Sequence, residues 1–448
     1  MKNVALLAVA CSLGASMPAA AQHVDWAVRT TLAFEADGPR DLGLADDDRS
    51  DNNFFLNLAP RAMVELSPNW TGYVRGRVFL PTGRVAPFDS GEPDDQTPSR
   101  AYAGINEFWI QYGGFTSYPG EALRLGRQHI RQVDNSWWDQ DTDALRWILD
   151  TTLLDAEIGV AHAFSTFRTD NVDVPIAQRD RTYYFGQIAA DWRAENTIGL
   201  RAAHATGGSA PDGTRLQDSE LTWAGVFFEN GFYDILGADR RLAYSGAATY
   251  LTGRQKPFTA TESQDVGAWQ ANMDLRLQLL EHIPLFVGGG YTWSESQFQQ
   301  TGMQSNSSYF TGTGTLIGRY NETLQPQLGN LHIATAFVAV DFEADDASLV
   351  FSKFTRDDAF VPIITHALSV APLNDSRDIG IGVDLVITHH FSREQRRQRL
   401  LDRGDAFTAP RRGSLISLRA SAFKPGDAYG DDARTDYRIL LEGTLWID

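Results

Sequence analysis

The chain has 448 residues, with 57 acidic against 39 basic side chains and a formal charge of −18. Its mean hydropathy is −0.29, and no stretch approaches the roughly 18–20 apolar residues that a membrane-spanning helix needs. The acidic balance excludes a phosphate-backbone binder, which needs a basic stripe. What remains is a soluble enzyme or a membrane β-barrel, whose lipid-facing residues are too interleaved to raise mean hydropathy.

The first segment reads as a secretory signal peptide. Lys2 supplies the positive region, Val4–Ala10 the apolar core, and Ala19-Ala20-Ala21 a cleavage site before Gln22. The sole cysteine, Cys11, lies within it. The expected mature chain, 22–448, is one barrel domain that works outside the cytoplasm without disulfide or thiolate chemistry.

From there period-two alternation recurs and helical periodicity is nearly absent. Eighteen strands are expected near 23–36, 52–66, 70–80, 101–113, 121–130, 143–150, 153–164, 181–192, 195–206, 220–230, 239–252, 266–280, 283–297, 330–342, 346–355, 377–391, 413–422 and 436–447. In the third, Trp70, Val74, Val78 and Leu80 share one face, and Tyr73, Arg75, Arg77 and Phe79 the other. In the sixteenth, Ile379, Ile381, Val383, Leu385 and Ile387 oppose Asp378 and Asp384. Aromatics near segment ends, including Trp26, Phe54, Trp70, Trp109, Trp192, Tyr291 and Trp446, have the distribution of interfacial girdles.

Long and short connections alternate. Ser67-Pro68-Asn69, Asp150-Thr151-Thr152, Arg193-Ala194 and Glu281-His282 are tight turns, whereas 81–100, 297–329 and 356–376 are long. An antiparallel barrel with short periplasmic turns and long extracellular loops has this rhythm, and an even strand count returns both termini to the periplasm. One connection departs from it. Ser392–Arg412, where a short turn is due, carries Arg393, Arg396, Arg397, Arg399, Arg403, Arg411 and Arg412. It reads either as a solvated surface helix or as a basic collar or gate, with Arg396, Arg397 and Arg399 at its centre.

Of the 39 basic residues 35 are Arg, a bias that genome composition alone also produces. Strand parity puts Arg75, Arg77, Arg146, Arg201, Arg276 and Arg419 on the inward face, with Glu107, Asp155, Glu157, Asp384 and Glu442. Arg319 joins them from the long loop 297–329. Parity through Leu123 and Leu125 puts Arg127 outward, which lipid penalises unless the strand bulges there; Arg131 follows it in the same segment. Guanidinium groups bind carboxylates bidentately and stay charged, so an arginine ladder suits a polyanion, provided each site binds only modestly.

The segments Arg124-Leu-Gly-Arg127-Gln128, Trp137-Trp138-Asp139, Ala144-Leu145-Arg146-Trp147, Asp150-Thr151-Thr152-Leu153-Leu154 and Gly159-Val160-Ala161 resemble the alginate export porin family. So do Gln300–Asn306, Asp346-Ala347-Ser348-Leu349-Val350 and Phe423–Gly430, in order over most of the chain. The resemblance implies an eighteen-stranded, monomeric outer-membrane barrel in contact with lipid and lipopolysaccharide. Its arginine-rich lumen would pass alginate or a related anionic polysaccharide, in company with periplasmic secretion proteins. It also implies that Arg127 and Arg131 line the pore, and that a long periplasmic turn occludes it. The chain ends Trp446-Ile447-Asp448 instead of on the aromatic residue usual for such barrels.

Enzymatic readings find little support. No Gly-x-Ser-x-Gly, His-Glu-x-x-His or P-loop is present. Asp139, Asp141, Asp143 and Asp150 imitate a calcium loop, but Ala144 stands where glycine is required and Asp replaces the bidentate Glu. His389-His390 lacks a third ligand. No cofactor is expected. The competing classes are a general porin for small anions or oligosaccharides and, more distantly, a barrel-embedded hydrolase.

Overall fold

In a computed structural model of the protein, the described residues are 23–44, 51–83, 101–116, 118, 120–131, 136–162, 181–193, 196–207, 219–230, 233–234, 241–255, 262–280, 283–365, 367–391 and 413–447. The signal segment and the basic connection 392–412, with Arg396, Arg397 and Arg399, lie outside them. The described chain forms a closed antiparallel barrel of eighteen strands. These are β1 His23–Asp37, β2 Asp51–Ser67, β3 Trp70–Pro81, β4 Tyr102–Tyr112, β5 Glu121–Arg131 and β6 Asp139–Asp150. Then follow β7 Leu154–His162, β8 Arg181–Arg193, β9 Asn196–Gly207, β10 Ser219–Asn230, β11 Arg241–Gln255 and β12 Gln264–Gln278. The last six are β13 Leu285–Ser294, β14 Leu331–Asp341, β15 Asp345–Arg356, β16 Asp378–His390, β17 Leu415–Pro425 and β18 Asp436–Ile447.

Each strand pairs with its sequence neighbours, and β1 closes the ring on β18 from Val28 opposite Ile447 to Asp37 opposite Arg438. Closure leaves no strand edge for lipid to meet, which is why barrels and helices alone cross a bilayer. No helix of the described residues is long and apolar enough to cross a membrane.

The sequence alternation becomes an inside and an outside. On β18, Leu441, Leu445 and Ile447 are exposed, while Arg438, Leu440 and Thr444 are buried. On β9, Ile198 and Leu200 are exposed and Arg201 and Ala203 buried. Trp26, Phe54, Trp70, Trp192 and Tyr291 are exposed on the outer surface, as expected of an aromatic girdle. This apolar coat, on a closed barrel, identifies an outer-membrane protein.

Four expectations need correction. First, β6 begins at Asp139 instead of 143, so the connection before it is short. Second, Ile379 is buried. Phe354 pairs with Gly380 and Thr355 with Asp378, leaving Ile379 as the extra residue of a bulge that turns it inward. Third, Trp109 and Trp446 are not girdle residues: Trp109 stacks on inward Tyr73 at 5.2 Å, and Trp446 lines an internal cavity. Fourth, Arg127 is buried together with its neighbour Gln128. Gly126 between Leu125 and Arg127 has φ +125°, and a Cβ there would lie 2.3 Å from the Phe108 carbonyl oxygen. That non-standard turn of the backbone breaks the simple alternation, and it admits glycine alone.

Placing a guanidinium on the outer face tests the inside–outside assignment. Leu441→Arg, at the middle of β18, is expected to lower unfolding stability by about 2–4 kcal/mol in reversible refolding into lipid. No measurable change would mean that this face does not meet hydrocarbon.

Candidate functional site in a lumen divided by an inward loop

The connection between β13 and β14 decides the shape of the lumen. Residues 295–330 leave the barrel rim and fold back inside it. Their charges are few, Glu295, Arg319 and Glu322, against many Ser, Thr, Gln, Asn and Gly. Small polar side chains of this kind can answer the hydrogen-bonding groups of an inward-facing wall at little desolvation cost.

The loop is tied to the wall at successive depths. Near the long-loop rim the Tyr183 hydroxyl and the Trp223 indole donate to the carbonyls of Thr301 and Gln299, at 2.9 and 2.7 Å. The Asp139 amide donates to the Met303 carbonyl at 2.6 Å. Deeper, Arg276 donates to the carbonyls of Tyr309 and Phe310, and Thr311 and Thr313 meet Ser348. The lowest contact is the Thr315 hydroxyl donating to Asp346 at 3.0 Å, beside the short-turn end of β15; His390 bonds the same carboxylate oxygen at 2.8 Å. On the way back Arg319 pairs with Asp274, and Asn321 donates to Asp384 and Ser421 at 3.1 and 3.0 Å. Asn321 adopts φ +65°, a left-handed conformation that Asn tolerates better than most residues.

Beside the loop, the described residues line two adjoining cavities. The one toward the long-loop rim holds about 370 Å³ and the other, toward the short turns, about 300 Å³. Arg29, Leu316, Arg419 and Glu442 line both, so they mark the narrowing between them. Their barrel-side lining comes from β1, β2, β3, β6, β16, β17 and β18, and the loop supplies the rest.

The arginines singled out in the sequence divide accordingly. Arg75 lines the lower cavity, Arg319 the upper, and Arg419 both. Each is held by acids: Arg75 by Glu107 at 2.9 Å and Asp141 at 3.0 Å, and Arg419 by Glu322 at 2.6 Å. Arg419 also donates to the Leu316 carbonyl at 2.8 Å, so one guanidinium grips two points of the loop. By contrast Arg146, Arg201 and Arg276 face inward but are covered. Arg146 pairs with Glu157, Arg201 lies over the Trp137 ring at 4.5 Å, and Arg276 holds the loop backbone. Arg77 stacks on Phe79 at 5.0 Å. Arg127 lies 4.0 Å from Asp143, and Arg131 is bonded to Asp139 at 2.9 Å.

Asp139 and Asp141 flank His129 at 2.9 and 3.0 Å. With Arg131 and Arg75 bound to the same pair, these carboxylates are directed at cations of the wall and not at a common metal position. Two cavity arginines, Arg29 and Arg61, escape the parity reading. The alternation of Val28 with Leu32 and Phe34, and of Leu56 with Leu58, carries the signal that would have found them.

Loop anchoring makes a direct prediction. Asn321→Ala removes hydrogen bonds to Asp384 and Ser421 and leaves both partners buried, a loss of about 1–3 kcal/mol of local stability. Single-channel conductance is expected to rise and fluctuate, with the barrel's heat-modifiable gel shift intact. Unchanged, quiet conductance would mean that the loop does not set the width of the passage.

The profile of the family described as "Alginate export" matches residues 22–438. The chain is 34% identical to the alginate production protein AlgE of Pseudomonas aeruginosa, over 98% of this chain and 96% of that one. To the protein of the same name from Pseudomonas syringae pv. tomato it is 30% identical, over 96% and 95%. Among solved structures, Pseudomonas aeruginosa OccK8 (OprE) superposes with a TM-score of 0.60 at 8% identity, covering 96% of this chain and 99% of that one. Acinetobacter baumannii OccAB4 gives 0.60 at 10% identity, over 96% and 100%. At such identities these two speak for the barrel fold alone. Full-length similarity to AlgE and the profile match together establish that the chain belongs to the alginate export family.

Proposed function

We propose that the protein exports an alginate-like polyuronate across the outer membrane, through the arginine-lined passage between the inward loop and the wall. The observation that carries this reading is the run of guanidinium groups along the passage, with Arg319 above, Arg29 and Arg419 at the narrowing, and Arg61 and Arg75 below. A polyuronate presents one carboxylate per sugar. A chain moving past this wall exchanges one guanidinium partner for the next, so no single carboxylate is stranded without a counter-charge. The wall acids set the strength of the sites. Glu107 and Asp141 beside Arg75, and Glu322 beside Arg419, compete with the substrate and keep each site weak enough to release it.

Length in the passage also favours a polymer over a small anion. The two cavities adjoin, so several sugar units are engaged together. The summed contacts select a chain, while each contact remains modest.

Arg29→Glu reverses a charge at the narrowing. In planar bilayers under a salt gradient, the wild-type reversal potential is expected to indicate anion preference, and the variant is expected to lose most of it. Oligouronate should block the wild-type current at far lower concentration than a neutral oligosaccharide of equal length. A cation-selective wild type, or equal block by both sugars, would overturn the proposal in favour of a general diffusion porin or another cargo.

A further inference from the structure

The lower cavity contains a group that simple ion conduction does not require. Trp446 is the last inward side chain described on β18, and it faces the cavity near the short-turn mouth. Its register partner across the closure seam is Arg29. The Arg61 guanidinium lies over its ring, 4.4 Å from the centroid. Thr444 and Ser417 bring hydroxyls to the same cavity.

These features have a common chemical reading. A guanidinium stacked on an indole is held flat, so that its N–H groups lie parallel to the ring and are presented edge-on. A uronate offers a carboxylate to the cations, ring and hydroxyl oxygens to the hydroxyl groups, and an apolar C–H edge to the aromatic surface. A small inorganic anion satisfies only the first of these, and a neutral sugar only the others.

We propose that Trp446, Arg61 and Arg29 form a docking subsite for one uronate unit at the short-turn mouth, the first station a chain reaches from the periplasm. This rests on the polyuronate reading above and deepens it. The carboxylate lies between the two guanidinium groups, the unit's apolar C–H edge lies against the indole, and the Thr444 and Ser417 hydroxyls meet its ring oxygens. Glu442, on the upper side of the cavity, limits how tightly the unit is held.

The test uses the purified full-length protein in planar bilayers, with a short oligouronate added first to one chamber and then to the other. Trp446→Leu is expected to weaken block from the short-turn side about tenfold, with block from the long-loop side retained. Trp446→Phe keeps an aromatic ring under Arg61 with a smaller face for the sugar, and is expected to fall between. Trp269→Leu, on the outer surface, serves as the control and is expected to match wild type. Should Trp446→Leu fail to assemble, as judged by gel mobility, the comparison of Trp446→Phe with wild type decides. Block that is unchanged in the Trp446 variants, or lost equally from both sides, overturns the subsite while leaving the polyuronate reading intact. Absence of oligouronate block in the wild type overturns that reading, and the subsite with it.

Discussion

Every hydrogen-bonding group of a strand in hydrocarbon must find its partner in the protein, because lipid offers none. Here the requirement is met by the seam between β1 and β18, where Val28–Asp37 runs antiparallel to Arg438–Ile447. With the seam closed, each strand has a face for lipid and a face for the lumen, and polar chemistry is confined to the second. Charges gathered in so narrow a space must then be paired. Arg438 with Glu35, Arg146 with Glu157 and Arg319 with Asp274 follow from this crowding as much as from function. An arginine in such a lumen is therefore no evidence of a substrate contact until its surroundings are known.

The inward loop supplies those surroundings. By covering the wall around β8, β10 and β12, it converts Arg276 from a pore residue into an anchor for packed chain, while Arg201 is covered by Ser136 and Trp137 just before β6. By resting on β16 and β17 and leaving Arg29, Arg61 and Arg75 uncovered, it brings these three together in one cavity with Arg419, which holds the loop. Under the proposed function, selectivity rests on a few guanidinium groups on one side and on hydroxyls and backbone on the other, and not on the acidic balance of the whole protein.

The barrel was legible in the sequence because lipid imposes a strict period of two. Leu441 against Glu442, or Ile158 against Glu157, shows the alternation without reference to any distant residue. It failed where the backbone departs from the pleat. Gly126, at φ +125°, and the bulge that turns Ile379 inward are set by pairing with neighbouring strands, and no local pattern announces them. The loop 295–330 was legible as a long connection, but its direction was not. Its Ser, Thr and Asn side chains suit water as well as a polar wall, and only the partners they meet, such as Asp346 for Thr315, reveal which was chosen. The distinction between Arg75, which lines a cavity, and Arg146, which is sealed between Gln128 and Glu157, depends on partners from neighbouring strands. It was beyond the reach of strand parity.

The central claim is that the one-sided, arginine-lined passage carries a polyuronate chain. Its most direct test is efflux from proteoliposomes containing only the purified protein, loaded with a labelled oligouronate and, separately, with a neutral oligosaccharide of the same length. The account predicts rapid release of the uronate and slow release of the neutral chain, with the difference narrowing as salt screens the charges. Release of both at the same rate, or retention of both while small anions pass freely, would contradict it.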